Sequence, residues 1–331
     1  MGACMSKSSL ASQRQILHLL SSGEFVSGQL LALELGLSRT AIANHMAQLQ
    51  KLGLDIYTVK GRGYKLAQPL SLLDAAKISQ TRCSDCPDIL VQSITDSTNS
   101  QLMQKVSDGQ QMLPGFTLVA EAQTSGRGRR GRNWYSPFAA SLYFSLYWRL
   151  EQGVQAAMGL SLVAAIALVR MLKQHYHLDA TVKWPNDVYV DGKKLAGILV
   201  ELAGQAHAGC DVIIGIGMNI SLPQQANAHI DQHYIDLSSA LGSTVDRNLL
   251  IVKLQQQLVN LLKEFSECGF AGFTDEFNTH HHYQQKKVRL TGNTEVSGTC
   301  LGVDKQGALL IQTSNGIQAY FGGEVSLRPG E

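Results

Sequence analysis

No apolar run in this sequence is long enough to span a bilayer. The longest, Met158 to Val169, stops at Arg170 after a dozen residues, where a transmembrane helix needs about 20. The N-terminus lacks the basic stretch, apolar core and small-residue cleavage site of a secretory leader, so a cytoplasmic protein with no membrane partner is expected. Met1 to Ser6 fits a myristoylation pattern, which six residues meet readily by chance, and no acylation is expected from it. Cysteine is sparse. Cys4, Cys83, Cys86, Cys210, Cys268 and Cys300 are scattered through a large chain, which excludes a disulfide framework and points to free thiols. Cys83 and Cys86 have redox or zinc spacing, but Pro87 follows and no second pair is near, so neither role is expected. No internal repeat appears, and no phosphate loop ends in Gly-Lys-Ser/Thr, because Gly192-Lys193 is followed by Lys194. A dominant charge is also missing, since 28 Lys and Arg against 26 Asp and Glu leave only +2.

What is present is uneven in its distribution. Residues 1–68 hold seven Lys or Arg and three Asp or Glu, a net +4, which leaves the rest of the chain at −2. Only the N-terminal fifth is basic enough to suggest a polyanion partner. With 331 residues, 44% of them hydrophobic, two or three domains with real cores are expected. Changes in hydrophobic period divide the chain at 1–68, 69–282 and 283–331.

The first zone reads as three short helices and two strands. Helical spacing through Ile16, Leu17, Leu19 and Leu20 breaks at Ser22-Gly23. A second helix over Gln29 to Leu35 ends at Gly36, and Ser38 caps a third from Arg39 to about Leu52. Strands Asp55 to Val59 and Gly63 to Leu66 flank the turn Lys60-Gly61-Arg62. Ala32, Gly36 and Ile42 supply the small residue, bend and core contact of two helices crossing through a tight turn. Ser38, Arg39, Thr40, Asn44 and His45 then face outward near the start of the third helix, positioned for a major groove, with Lys60, Arg62 and Lys65 placed for phosphates. The zone resembles a winged helix-turn-helix domain.

The last zone carries five short β-rich segments, Lys287 to Leu290, Glu295 to Val303, Ala308 to Gln312, Ile317 to Phe321 and Val325 to Leu327. Turn residues at Gly292-Asn293, Asp304 to Gly307 and Asn315-Gly316 separate them, as in a small barrel. His280-His281-His282 has no carboxylate or cysteine companion and reads as linker. The middle zone alternates strands near Thr117 to Ala120, Ser141 to Tyr147, Ala196 to Glu201 and Val212 to Ile220 with helices from about Gln155 to His175 and Asn248 to Glu267. The whole chain is therefore α+β and multidomain, with chemistry expected on the loops of the middle zone.

The densest signal is Gly126-Arg127-Gly128-Arg129-Arg130-Gly131-Arg132, four guanidinium groups and three glycines in seven positions. Glycines let backbone amides approach an anion, and arginines offer planar donors to carboxylate and phosphate. The glycine spacing also spells a dinucleotide fingerprint, but that motif must open a helix, and Asn133-Trp134-Tyr135-Ser136-Pro137 does not suit one. Three further clusters stand out: Asp96-Ser97-Thr98-Asn99, fit to cap a helix or bind a small polar ligand; Lys183-Trp184-Pro185-Asn186-Asp187; and Gly192 to Ile198 with Lys193 and Lys194. Gly215-Ile216-Gly217-Met218-Asn219 ends a strand with two glycines that permit close backbone approach.

Taken in order, the Asp-Ser-Thr-Asn run, Gln123 to Arg132 with Trp134, the Lys-Trp-Pro-Asn-Asp run and Lys194-Leu195-Ala196-Gly197-Ile198 resemble the biotin-protein ligase family over essentially the whole chain. The N-terminal domain makes the chain similar to the family's bacterial bifunctional members, which also repress biotin synthesis. The resemblance implies a central mixed α/β domain of the class II synthetase-like type and a C-terminal SH3-like β-barrel. It implies that biotin and ATP, with Mg2+, give biotinoyl-5′-adenylate and pyrophosphate, and that a lysine of biotin carboxyl carrier protein then takes the biotinoyl group. Such a reaction brings two anions together, so the site must neutralise charge before bonds form.

The same resemblance implies roles by residue. Arg129 and Lys194 would be the electrostatic catalysts, with Arg127 and Arg132 helping to hold the intermediate. Ser97, Thr98, Asn99, Gln123, Gly126, Arg127, Trp134 and Lys194 would form the biotin site, with Arg127 acting through its backbone and Trp134 as a wall. Arg129, Arg132, Asn186, Asn219 and Tyr234 would face the nucleotide, Tyr234 standing where family members can have a tryptophan over adenine. Asp187 would be an indirect magnesium ligand. Operator DNA and, once adenylate is bound, a homodimer through the strand from Gly197 to Leu202 are the remaining implied partners. Two other classes share some of these features. A metabolite-sensing repressor would need neither Arg129 nor Lys194, and a lipoate ligase would adenylate a different acid.

Overall fold

The computed structural model of the chain describes residues 7–67, 69–151, 157, 159–203, 209–291, 295–321 and 326–330. The Met1–Ser6 pattern, Cys4, the Gly292-Asn293 turn, the helix start expected at Gln155 and the strand start expected at Val325 lie outside those residues.

In the N-terminal part, helices α1 (Lys7–Leu20), α2 (Gly28–Leu35) and α3 (Arg39–Lys51) precede an antiparallel hairpin, β1 (Ile56–Val59) and β2 (Gly63–Leu66). Local chemistry sets the helix ends. Ser27 Oγ accepts from Leu30 N and Ser38 Oγ from Ala41 N, while Gly36, at φ 64°, closes α2 in the left-handed region. Ile16, Leu17, Leu20, Leu31, Ile42, Met46 and Leu49 form the core, and it does not close on itself: Ala122, Phe138 and Ala139 of the central part complete it. At the same junction Phe138 N donates to Leu52 O at 3.1 Å, and Gly53 turns against Pro137.

The stretch that follows is held tightly. The backbone carbonyls of Ser71 and Leu72 accept from Arg247 Nη1 (3.1 Å) and Asn248 Nδ2 (2.9 Å). Leu73 N donates to Glu121 Oε1 (2.6 Å), and Asp74 N to Asn248 Oδ1 (2.7 Å). Arg247 and Glu121 are themselves a buried ion pair at 2.6 Å.

After α4 (Ala75–Thr81) comes a seven-stranded sheet built from β3 (Ile89–Thr95), β4 (Thr117–Gln123), β5 (Ser141–Leu150), β6 (Thr181–Lys183), β7 (Asp187–Val190), β8 (Lys193–Ala203) and β9 (Cys210–Asn219). Its order is β3-β4-β5-β9-β8-β7-β6, with only β3 and β4 parallel. Alternation along the strands sends Leu142, Phe144, Leu146, Val212, Ile214 and Ile216 into a large core with α6 (Leu160–Tyr176) and α8 (Arg247–Cys268). The other face meets α5 (Thr98–Ser107) through Leu102, Leu118 and Ile213. Helix α6 is apolar on nearly every side because it packs against both the sheet and α8. Short helices α7 (Leu237–Leu241) and α9 (Thr274–His280) complete this part.

The C-terminal part is one antiparallel sheet of β10 (Lys287–Thr291), β11 (Val296–Val303), β12 (Leu309–Thr313), β13 (Gly316–Tyr320) and β14 (Ser326–Pro329), in the order β13-β12-β11-β10-β14. The linker reading of the three histidines does not hold. His281 is buried, with Nδ1 3.6 Å from Cys300 Sγ, and His282 N donates to Val182 O, so this segment seals the joint between two domains. No helix among the described residues is long and apolar enough to cross a membrane.

Candidate active site

A cleft of about 660 Å³ opens where the loop after β4, the start of α5, the β6–β7 turn, β8 and the 227–234 loop converge. Ser97, Thr98, Asn99, Gln123, Arg127, Arg129, Arg132, Trp134, Asn186, Asp187, Lys194, Asn219 and Tyr234 all line it. Gly126 does not. It is buried behind the cleft, where an added Cβ would strike Ser136 Oγ and Trp134 O, and its carbonyl accepts from Trp134 N at 2.9 Å.

The polar run before α5 serves two purposes at once. Ser97 caps the helix, while Thr98 presents both its N and its Oγ1 to Gln123 Oε1 at 2.9 and 3.2 Å. Asn99 lies over Gly215, close enough that no side chain at 215 would fit, and its Oδ1 accepts from Ser145 Oγ. The arginine loop folds back on itself, since Gly128 N donates to Arg132 O at 2.8 Å and Arg130 sits at φ 59°. Trp134 then lies flat on two glycines, with Gly197 and Gly217 offering no Cβ beneath the indole.

Charge is concentrated at one end. Lys194 Nζ is 2.8 Å from Asp187 Oδ1, both largely shielded, and 5.6 Å from the Trp134 ring centroid. Arg129 Nη1 donates to Asn186 Oδ1 at 3.3 Å, and burial, then Arg130, hold its pKa below the usual arginine range. Lys183 is likewise pushed down by burial, against the opposing pull of Asp187. Lys183 and Arg328, the latter contributed by the C-terminal domain, also line the cleft; sequence reasoning assigned neither to the site. A cluster of Arg129, Lys183, Lys194 and Arg328 with Asp187 paired to Lys194 is suited to binding and neutralising a polyanion.

Three of the expected site residues are also held by contacts within the chain. The Arg127 side chain is turned away to Glu201 and Ser100. Asn219 Nδ2 donates to Ile235 O (3.2 Å) and Lys194 O (3.4 Å), bracing the loop that carries Tyr234 against β8. Tyr234 Oη donates to Asn227 Oδ1, and burial followed by Asp236 raises its pKa.

On the DNA-binding candidates, Ser38, Arg39, Thr40, Asn44, Lys60 and Arg62 are exposed, with Arg62 stacked 4.2 Å from the Phe25 ring centroid. His45 departs from the expected outward face: it is half-buried beside Ile42, Met46 and Leu49, with Nδ1 shielded from water. In the expected dimer strand, Gly197 pairs with Asp187 of β7, whereas the ladder between β7 and β8 ends there and residues 199–203 pair only with β9.

The family described as "Biotin/lipoate A/B protein ligase family" matches residues 91–219, "HTH domain" matches 12–65 and "Biotin protein ligase C terminal domain" matches 286–328. The chain is 41% identical over 317 residues to a bifunctional ligase/repressor BirA of Salmonella typhimurium, covering 96% of this chain and 97% of that one. It is 30% identical to the Bacillus subtilis protein of the same name, over 92% of this chain and 94% of that one. A solved biotin protein ligase from Aquifex aeolicus, in complex with biotin and ATP, superposes with a TM-score of 0.65 at 30% identity, covering 73% of this chain and 99% of that one.

Proposed function

The chain belongs to the biotin protein ligase family, as a ligase that is also a repressor, and on that premise we propose how its cleft makes biotinoyl-5′-adenylate and hands the biotinoyl group to a carrier lysine. The observation that carries the reading is the convergence of Arg129, Lys194 and Lys183 in a cleft that is also walled by Trp134, beside Lys194, and by the Thr98–Gln123 pair.

In the first step a biotin carboxylate oxygen attacks the α-phosphorus of ATP and pyrophosphate leaves. Arg129 and Lys194 lower the repulsion between the two anions, and Arg132, Lys183 and Arg328 neutralise the departing charge. Thr98, Asn99, Gln123 and the Arg127 backbone meet the ureido ring, and Asn186 and Tyr234 face the nucleotide. Asp187, paired with Lys194 at 2.8 Å, would be the carboxylate that holds a magnesium ion indirectly. Such an ion would supply further charge neutralisation on the phosphates.

In the second step the carrier's lysine nitrogen attacks the acyl carbon, AMP leaves and the amine loses a proton; the site needs to position the amine and exclude water. The N-terminal domain binds operator DNA through α3 and the hairpin, and adenylate favours a homodimer through residues 199–203 of β8, where among the described residues β9 is the one strand paired with it. ATP, a carboxyl carrier protein and an operator as joint partners support a cytoplasmic location.

ATP–pyrophosphate exchange by the purified protein with biotin, lipoate or no acid tests this reading. Exchange with biotin alone is expected. Exchange with lipoate alone would overturn the substrate, and exchange with neither acid, from folded protein, would overturn the adenylation chemistry.

A further inference from the structure

We propose that Glu201 is a positioning residue for biotin, fastening together from behind the two segments that form the acid's binding wall; this rests on the ligase reading above. Glu201 does not line the cleft. It sits on β8 with its carboxylate 3.0 Å, through each oxygen, from Arg127 Nη2, and Arg127 Nε reaches Oε1 at 3.3 Å. The same carboxylate accepts from Asn99 Nδ2 at 2.7 Å. One side chain thus joins the first arginine of the glycine-rich loop to the polar run that opens α5, residues 74 and 102 positions away in sequence respectively.

Three features give this contact its force. First, every nitrogen of the Arg127 guanidinium is already engaged, Nε and Nη2 with Glu201 and Nη1 with Ser100 Oγ, so the group works as a fastener and the backbone is what faces the ligand. Second, four arginines in seven residues repel one another, and pairing the first with a carboxylate in a half-buried setting removes one charge from that repulsion. Third, a loop with glycines at 126, 128 and 131 has many accessible conformations, and a charge-assisted, two-pronged anchor at its entrance selects among them before the acid arrives. Asn99 is fixed from both sides, by Glu201 and Ser145, which sets which way its amide points.

The test is Glu201→Gln, which keeps the side chain's shape and removes the charge, compared with Arg127→Met and the double variant in the full-length protein. Biotin KM in pyrophosphate exchange and biotin Kd by calorimetry should each rise about tenfold for either single change, and the double variant should be no worse than the weaker-binding single, as for two residues acting as one unit. ATP KM and the melting temperature should stay near those of the parent. Ser100→Ala, which removes one part-buried bond to Arg127, should raise the same biotin KM about two- to threefold. Unchanged biotin binding in Glu201→Gln, additive effects in the double variant, or an ATP KM that rises in step with that for biotin would each overturn the assignment. If Glu201→Gln does not fold, an unchanged biotin KM in Ser100→Ala would do so. Failure of the parent protein to exchange with biotin would instead sink the ligase reading.

Discussion

A Cβ placed on Gly217 would lie 2.4 Å from Cε2 of Trp134, so the indole occupies the volume that any other residue at 217 would claim. Gly197 stands in a similar relation to the far edge of the ring. The flat face that the cleft presents is therefore a property of β8 and β9 as much as of the tryptophan.

Gly217→Ala should displace the indole. Overpacking of this kind costs about 1–3 kcal/mol, and here it should appear both as a lower melting temperature and as a fall of about tenfold in kcat/KM for biotin-dependent exchange. Unaltered kinetics would mean that Trp134 is not a wall of the site.

Lys194→Ala should slow adenylate formation by roughly 100- to 1000-fold, the scale of losing one preorganised charge donor. Operator binding by protein supplied with ready-made adenylate should change far less, because Lys194 is remote in the chain from α3 and the hairpin. Single-turnover adenylation and gel-shift titration separate the two, and equal losses in both would count against the catalytic role.

Acid should weaken the joint between the central and C-terminal domains. Burial, with His282 and Lys286 adding to it, holds the His281 imidazole at about 4, below its ordinary 6.5. An unfolded chain therefore takes up a proton between about pH 6.5 and 4 that the native chain refuses, and stability falls as pH drops through that window by an amount on the order of 3 kcal/mol. His281→Phe should flatten that dependence. Urea midpoints at pH 7 and 4.5 that move equally in parent and variant would refute it.

Removing residues 1–68 should abolish operator binding and also destabilise the ligase, because Ala122, Phe138 and Ala139 complete the N-terminal core and would be left facing water. Sequence-specific DNA binding by the truncated chain would sink the domain assignment.

Much of this was legible in the sequence because it is written locally. Strands expected at Lys287 to Leu290 and Ala308 to Gln312 appear at Lys287–Thr291 and Leu309–Thr313, and Ser38 caps α3 as its chemistry demands. The cleft's lining was legible too, since its motifs are compact runs. What was missed is non-local. Glu201 carries no motif of its own, and its meaning comes from Arg127 and Asn99, which no periodicity links to it. Arg328 enters the cleft from another domain. His281 was misread because a polar triplet suggests solvent, whereas α9 ends by turning that ring inward against Phe277 and Cys300.

In the proposed operator-bound dimer the clamped stretch from Ser71 to Asp74 would make the ligase body a ruler for DNA. If two copies pair as proposed, the distance and twist between their recognition helices would be set by how the catalytic domains meet. Each base pair inserted between half-sites displaces the second by about 3.4 Å and rotates it around the duplex. A tether of loose residues would absorb such a change, whereas the held stretch from Ser71 to Asp74 would pass it on to the catalytic domains of the proposed dimer.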